Sequence, residues 1–229
     1  SWNDPAWSIS TEQAAYVVFP MVIRAYTWEK LSAAKLTLLV VLVLGLIHAV
    51  FGFAYSTNNI GASIAQMGLA RCILEFALGN LLCLLWIKWR DVPRAAMRAW
   101  VACAACIIAK ISFNLPETAI IPAIFASGLL ALALDTGPIA KFFSTKSLID
   151  LGEVSFSTYL SHYLLFIAFK IVFADDNIQL DGMGFGGFLA LVFAASVLLY
   201  HLVEKPAQHW LNTHAPNAIG LKKKIAATA

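Results

Sequence analysis

Apolar residues fill long runs of this chain, and polar residues gather between them. Seven runs stand out, over residues 14–26, 36–55, 69–86, 95–113, 119–134, 154–173 and 185–202. A membrane crossing takes about 20 apolar residues, with a usual minimum near 17, so the first and fifth runs are short. The first can extend back through Glu12. None alternates apolar with polar at period two, which argues against strands and a barrel. The pattern predicts an all-α fold: a polytopic transmembrane helical bundle of about seven spans, forming a single membrane domain over residues 1–229.

Charge orients the spans. Of the 16 Lys and Arg residues, all but Arg71, Lys110 and Lys170 fall in or next to the loops that alternate onto one side. These are Arg24 at the end of the first run with Lys30 and Lys35 after it, Lys88, Arg90 and Arg94 after the third with Arg98 at the start of the fourth, Lys141 and Lys146 after the fifth, and Lys205 and Lys222–Lys224 after the last. The opposite loops carry Asp4, Glu12, Glu117, Asp175, Asp176 and Asp181. The positive-inside rule then puts the chain start outside and the C-terminus in the cytoplasm. Seven crossings give the same parity. The 136–153 segment mixes Gly, Pro, Phe-Phe and Lys and is expected to lie at the interface. The Gly182–Gly187 run is expected to be an outer turn.

Composition agrees. Only 13% of the residues are charged and 60% are hydrophobic, against about 25% charged in soluble domains. A net charge of +3 gives no reason to expect a nucleic-acid partner. No basic n-region of a signal peptide opens the chain, and neither does Met, so Ser1 is not expected to be the natural start. Cys72, Cys83, Cys103 and Cys106 all fall in the runs. Cys103 and Cys106 share a helix face, but the expected role is packing. No metal site and no bound cofactor is expected.

Polar groups within apolar runs are costly and mark sites or pathways. Trp7-Ser8-Ile9-Ser10-Thr11-Glu12 reads as a polar loop, with Ser10 and Gln13 as a capping box and Glu12 in the first helical turn. Arg71 and Glu75 stand four apart in the third run, with Asn80 beyond them. They are either a self-neutralising pair or an anion-holding Arg oriented by its Glu. Ser155, Thr158, Tyr159 and His162 form a stripe in the sixth run. Interhelical hydrogen bonds are the plain reading for the hydroxyls, and proton acceptance is the chemical one for His162. His48, between Gly45 and Gly52, reads as a close helix contact. His201 to Pro206 reads as a membrane exit, with Pro206 ending the helix.

These segments resemble the acyltransferase-3 family of integral-membrane O-acyltransferases. Asn3 to Glu12, with Tyr16 and Phe19-Pro20, is similar to the family's "PSWSLSVE…Y…FP". Leu151 to His162 is similar to its "LG-x-[IV]-S-[YF]-S-x-Y-L-x-H", although Ser161, Tyr163 and Leu164 stand where members often carry aromatics and Pro. Val203-Glu204-Lys205-Pro206 is similar to its "ERP", and Arg71, Phe76 and Gly79 to its "R…F…G" span.

The resemblance implies an enzyme that moves an acetyl or other short acyl group from acyl-CoA to a hydroxyl of a cell-surface or exported polysaccharide. It further implies a multi-pass protein of the bacterial inner membrane with acyl-CoA, a saccharide acceptor and the bilayer as partners. Whole members have about ten spans (counted as membrane helices are), and the earliest carries the catalytic Arg and His. No segment here matches that span. The chain is therefore expected to be the C-terminal two thirds of such a domain, with its catalytic residues upstream, and to be inactive alone. The expected pocket residues are Glu12, Arg71, Glu75, Tyr159 and His162, lining a polar pathway through the bundle. Trp7, Ser8 and Tyr16 are expected on the acceptor side. Two other readings fit the same polar groups: a transporter or flippase for a lipid-linked saccharide, and a non-catalytic remnant.

Overall fold

The structure, a computed structural model, describes residues 6–25, 28–54, 57–59, 64–173 and 182–214. Pro5, Asp175, Asp176, Asp181 and Lys222–Lys224 lie outside them. Among the described residues all regular structure is helical. The helices fall into two groups, Ala6–Thr145 and the part from Lys146 onward, and each is described on its own.

The first group holds α1 (Ala6–Ala25), α2 (Ala33–Ala49, continued by a π-turn over Val50–Ala54), α3 (Ile64–Trp89), α4 (Ala95–Phe113), α5 (Glu117–Leu134) and the short α6 (Pro138–Phe143). Ser32 caps α2 by accepting from the Lys35 amide. α3 is central: it packs against α1, α2 and α5, while α4 lies along α5. The core joins Leu36, Val40, Ile47 and Phe51 to Met67, Leu78, Leu81 and Leu85, and to Ala126, Leu130 and Ala131. An uncharged side-chain pair also links α2 to α5. His48 Nδ1 lies 2.9 Å from Thr118 Oγ1, and Thr118 is fully buried. Gly52 lies beside the His48 ring, and a Cβ there would make ordinary contact with it, 3.5 Å from His48 Cε1. The second group holds α7 (Lys146–Phe173), α8 (Gly182–Leu199), a π-turn (Tyr200–Glu204) and α9 (Lys205–His214). α7 and α8 pack together, with Phe166 and Phe169 meeting Phe188 at 5.8 and 5.6 Å.

Among the described residues six helices are long and apolar enough to cross a membrane, so the protein is a polytopic helical membrane protein. They match the second to seventh apolar runs. The first run forms the 20-residue α1, which is too polar to be among the six. Lys110, one of the three exceptions to the charge pattern, turns its ammonium to the Leu115 carbonyl at 2.7 Å, beyond the end of α4.

Three local expectations are corrected. Residues 7–12 are helical, because α1 begins at Ala6, so Ser10 and Gln13 form no capping box and Glu12 is not in the first turn. Once the helix extends back, the Thr11 hydroxyl bonds the Ser8 carbonyl at 2.7 Å and Ser10 is an interior residue. The Gly182–Gly187 run is no turn but the start of α8. Glycine is tolerated in membrane helices, where water does not compete for the backbone. Pro206 does not end its helix: it sits in the first turn of α9, directly after the π-turn. There the Lys205 amide reaches back to the Tyr200 carbonyl. This wider turn and the first-turn position suit a residue that has no N–H and crowds the preceding turn.

Candidate active site

In the first group, Gly68, Arg71, Glu75 and Gly79 recur at helical spacing and so share one face of α3. Arg71 Nε donates to Glu75 Oε1 at 2.9 Å, with the two side chains 33% and 39% exposed. At 1.5 Å per residue, Arg71 lies about 10 Å and Glu75 about 16 Å along α3 from its start, which is membrane depth for a crossing helix. The flanking glycines keep the face low. A Cβ on Gly79 would meet nothing within 4 Å, whereas one on Gly68 would lie 2.4 Å from Trp7 Cζ3. The Trp7 indole is therefore seated on Gly68, one turn from Arg71. Nine residues on, Tyr16 meets Phe76 edge-on at 5.9 Å, and Phe19 does so at 5.4 Å. The Trp-to-Phe-Pro segment thus runs alongside the Arg–Glu helix. Tyr16 is mostly exposed. Ser8 is half-buried, and its backbone carbonyl takes the Thr11 hydroxyl.

Glu12 is exposed and makes no hydrogen bond or ion pair among the described residues. No ion pair joins it to Arg71 among the described residues. The far face of α3 carries Asn80, which donates to the Phe76 carbonyl at 2.8 Å. It faces an apolar cavity of about 240 Å³ lined also by Phe19, Trp28, Val43 and Leu84. Asn80 therefore does not extend the Arg–Glu site.

In the second group, the Ser155 and Thr158 hydroxyls of the stripe turn back onto their own helix instead of making the interhelical bonds expected of them. Ser155 bonds the Gly152 carbonyl at 2.6 Å and Thr158 the Val154 carbonyl at 3.1 Å, both within α7. The buried α7 residues are instead Val154, Ser157 and Ser161, one step round the helix. His162 Nδ1 lies 2.7 Å from the Tyr159 carbonyl and 3.2 Å from that of Thr158. Carbonyl oxygens only accept, so Nδ1 carries the proton, and in a neutral ring Nε2 is then the acceptor. Tyr159 lies beside the ring at 5.9 Å. That is the tautomer a proton acceptor needs.

The sequence did not single out Glu153, Ser157 or Tyr200. Ser157 donates to Glu204 Oε2 at 2.6 Å, and the Tyr200 hydroxyl donates to Glu153. Glu204 also takes the Gln208 amide at 3.1 Å. Two motif segments read separately, around Leu151–His162 and Val203–Pro206, are thus stitched together by reciprocal hydroxyl–carboxylate bonds. Glu204 is a structural acceptor rather than a simple exit anchor. The one signal for this was the presence of two acids, Glu153 and Glu204, within apolar surroundings. Ser161 Oγ is buried with no hydrogen-bond partner among the described residues. All four cysteines are free thiols. Cys103 packs beside Gly128, whose Cβ would lie 3.5 Å from its sulfur.

The family profile described as "Acyltransferase domain" (Acyl_transf_3) matches residues 1–201. It therefore takes in α1 to α8, the Arg71–Glu75 pair and the His162 stripe. The chain is also similar to the "Putative membrane-bound transacylase BcsY" of Komagataeibacter xylinus. Identity is 26% over 213 residues, covering 90% of this chain and 51% of the relative, so the chain spans about half that protein's length. No solved structure matches. With the profile covering most of its length, the chain belongs to the acyltransferase-3 family, as a multi-pass membrane member of it.

Proposed function

We propose that the protein transfers an acetyl or other short acyl group from acyl-CoA to a hydroxyl of a cell-surface or exported polysaccharide. The family match across 201 residues carries this reading, and the chemistry of the two polar sites supports it. The acceptor hydroxyl attacks the thioester carbonyl and loses its proton, the carbonyl oxygen gains charge, and the thiolate leaves and takes up a proton as free CoA. Such a step needs a base for the hydroxyl and donors for the developing oxyanion.

Arg71 is the electrostatic group in this reading. Its Nε is committed to Glu75, which fixes the plane of the guanidinium and aims its remaining N–H groups. His162 offers Nε2 to an acceptor hydroxyl as a positioning group, with Tyr159 beside it. Trp7, Ser8 and Tyr16 shape the acceptor side, and Glu12 stands free to contact a sugar. In this reading the basic loops and the C-terminus face the cytoplasm of an inner membrane, and the donor arrives from that side.

The test supplies labelled acetyl-CoA to cells or vesicles carrying the protein from its complete reading frame and follows label into surface polysaccharide. Label should appear with the unmodified protein and fall steeply in Arg71→Gln and His162→Ala. Equal labelling with and without the protein would end the reading, and full labelling in both variants would remove the site assignments.

A further inference from the structure

A second cavity, of about 530 Å³, opens where the first turns of α7 meet the π-turn after α8. Its volume is that of a small-molecule site, about 300–1,000 Å³. Its lining combines the apolar Leu151, Phe193 and Val197 with the charged Lys146, Asp150, Glu153 and Lys205. The acids of the lining are already engaged: Asp150 pairs with Lys146 at 3.5 Å, and Glu153 accepts the Tyr200 hydroxyl. Two basic groups are not engaged by an acid. The Lys205 ammonium lies 5.8 Å over the Tyr200 ring and is in no ion pair among the described residues. His201 packs edge-on against the same ring at 5.1 Å. Tyr200 is itself 8% exposed. Tied at its hydroxyl, its ring carries a Lys and a His that both line the cavity. Ser147, in the first turn of the 28-residue α7, adds a hydroxyl to the lining.

We propose that this cavity binds the phosphate-bearing end of the acyl donor, with Lys205 and His201 on the phosphate and the apolar lining residues against the uncharged arm that leads to the thioester. This rests on the acyl-CoA reading above. A lysine is suited to phosphate as a point charge. A lining that combines charged and apolar side chains suits an amphiphile of that kind better than a free anion. Lys146 and Lys205 mark the basic side of the membrane, where a cytosolic donor arrives.

The test measures equilibrium binding of CoA, and of pantetheine, which lacks the phosphates, to the protein from its complete reading frame in phosphatidylcholine nanodiscs. A parallel series adds phosphatidylglycerol to the discs. Lys205→Gln and His201→Gln should each weaken CoA binding about tenfold, the loss of one hydrogen bond to a charged group. Pantetheine binding should not change, and Lys205→Arg should restore most of the CoA affinity. Unmoved melting temperatures would show the variants to be folded. CoA bound equally by all variants would overturn the site and leave the donor standing. No CoA binding by the unmodified protein would overturn both. A Lys205 dependence seen for phosphatidylglycerol and not for CoA would assign the cavity to a lipid headgroup and overturn the proposal.

Discussion

Arg71 and Glu75 neutralise each other within one turn of α3, whereas Glu153 and Glu204 are each held by a hydroxyl from another element of their group. Both arrangements place ionisable groups in or beside apolar helices, where unpaired charge is costly. They differ in what else depends on them. The Arg71–Glu75 bond closes within one helix and does not itself join a second element. The α7 carboxylate and the π-turn carboxylate act as clamps, and moving either one moves a helix. A group that can be spared by the architecture is the better candidate for chemistry, and a group that joins two elements is the better candidate for stability.

The largest effect expected from that contrast is on transfer. Arg71→Gln should lower acyl transfer about a hundredfold, the usual loss when one oxyanion donor is removed, while the melting temperature in detergent barely moves. A large drop in melting temperature with only mild loss of transfer would invert the assignment. Ser157→Ala should do the opposite. It strips Glu204 of its cross-helix donor and should cost about 1–2 kcal/mol of stability, read as earlier thermal unfolding. Tyr200→Phe, which strips Glu153, should match it. The two together should show a coupling energy, since both bonds close the same junction.

Gly68→Ala probes the edge between the two roles. The added methyl would land 2.4 Å from the Trp7 ring, too close for the indole to stay where it is. Overpacking of this kind costs about 1–3 kcal/mol when the neighbour cannot move. Trp7 lies at the described start of α1 and is 37% exposed, so it can swing away and the cost should fall at the low end. The informative readout is the acceptor KM, which should rise while the donor KM holds.

The contrast also explains what could be read from the chain. The Arg71–Glu75 pair was legible because both partners lie four apart on one helix, and helical spacing alone brings them together. The apolar runs were legible for the same reason, since length and composition are local. The Ser157–Glu204 and Glu153–Tyr200 bonds both join residues 47 apart, and no local pattern states the register of α7 on the π-turn. The polar stripe of α7 was legible, but not which neighbouring stripe is buried: Ser155 and Thr158 turned back onto their own helix and Ser157 took the contact. At residues 7–12 a Ser and a Gln at capping distance suggested a helix start, yet helical hydrogen bonds continued through them to Ala6.

The smallest effect should come from the uncharged counterpart of the clamps. Thr118→Val removes the hydroxyl 2.9 Å from His48 Nδ1 and keeps nearly the same shape in a fully buried position. Side-chain bonds between membrane helices average about 0.6 kcal/mol and reach about 1.7, so the loss should sit near 1 kcal/mol, below that of Ser157→Ala. His48→Leu should recover part of it in the Thr118→Val background, because it removes the imidazole nitrogen left without a partner. If Thr118→Val instead proved the more damaging of the two, charge at the α7 junction would add nothing to its grip. Glu204 would then be freed for a part in the chemistry, and the division between spared and clamping groups would have to be redrawn around the π-turn.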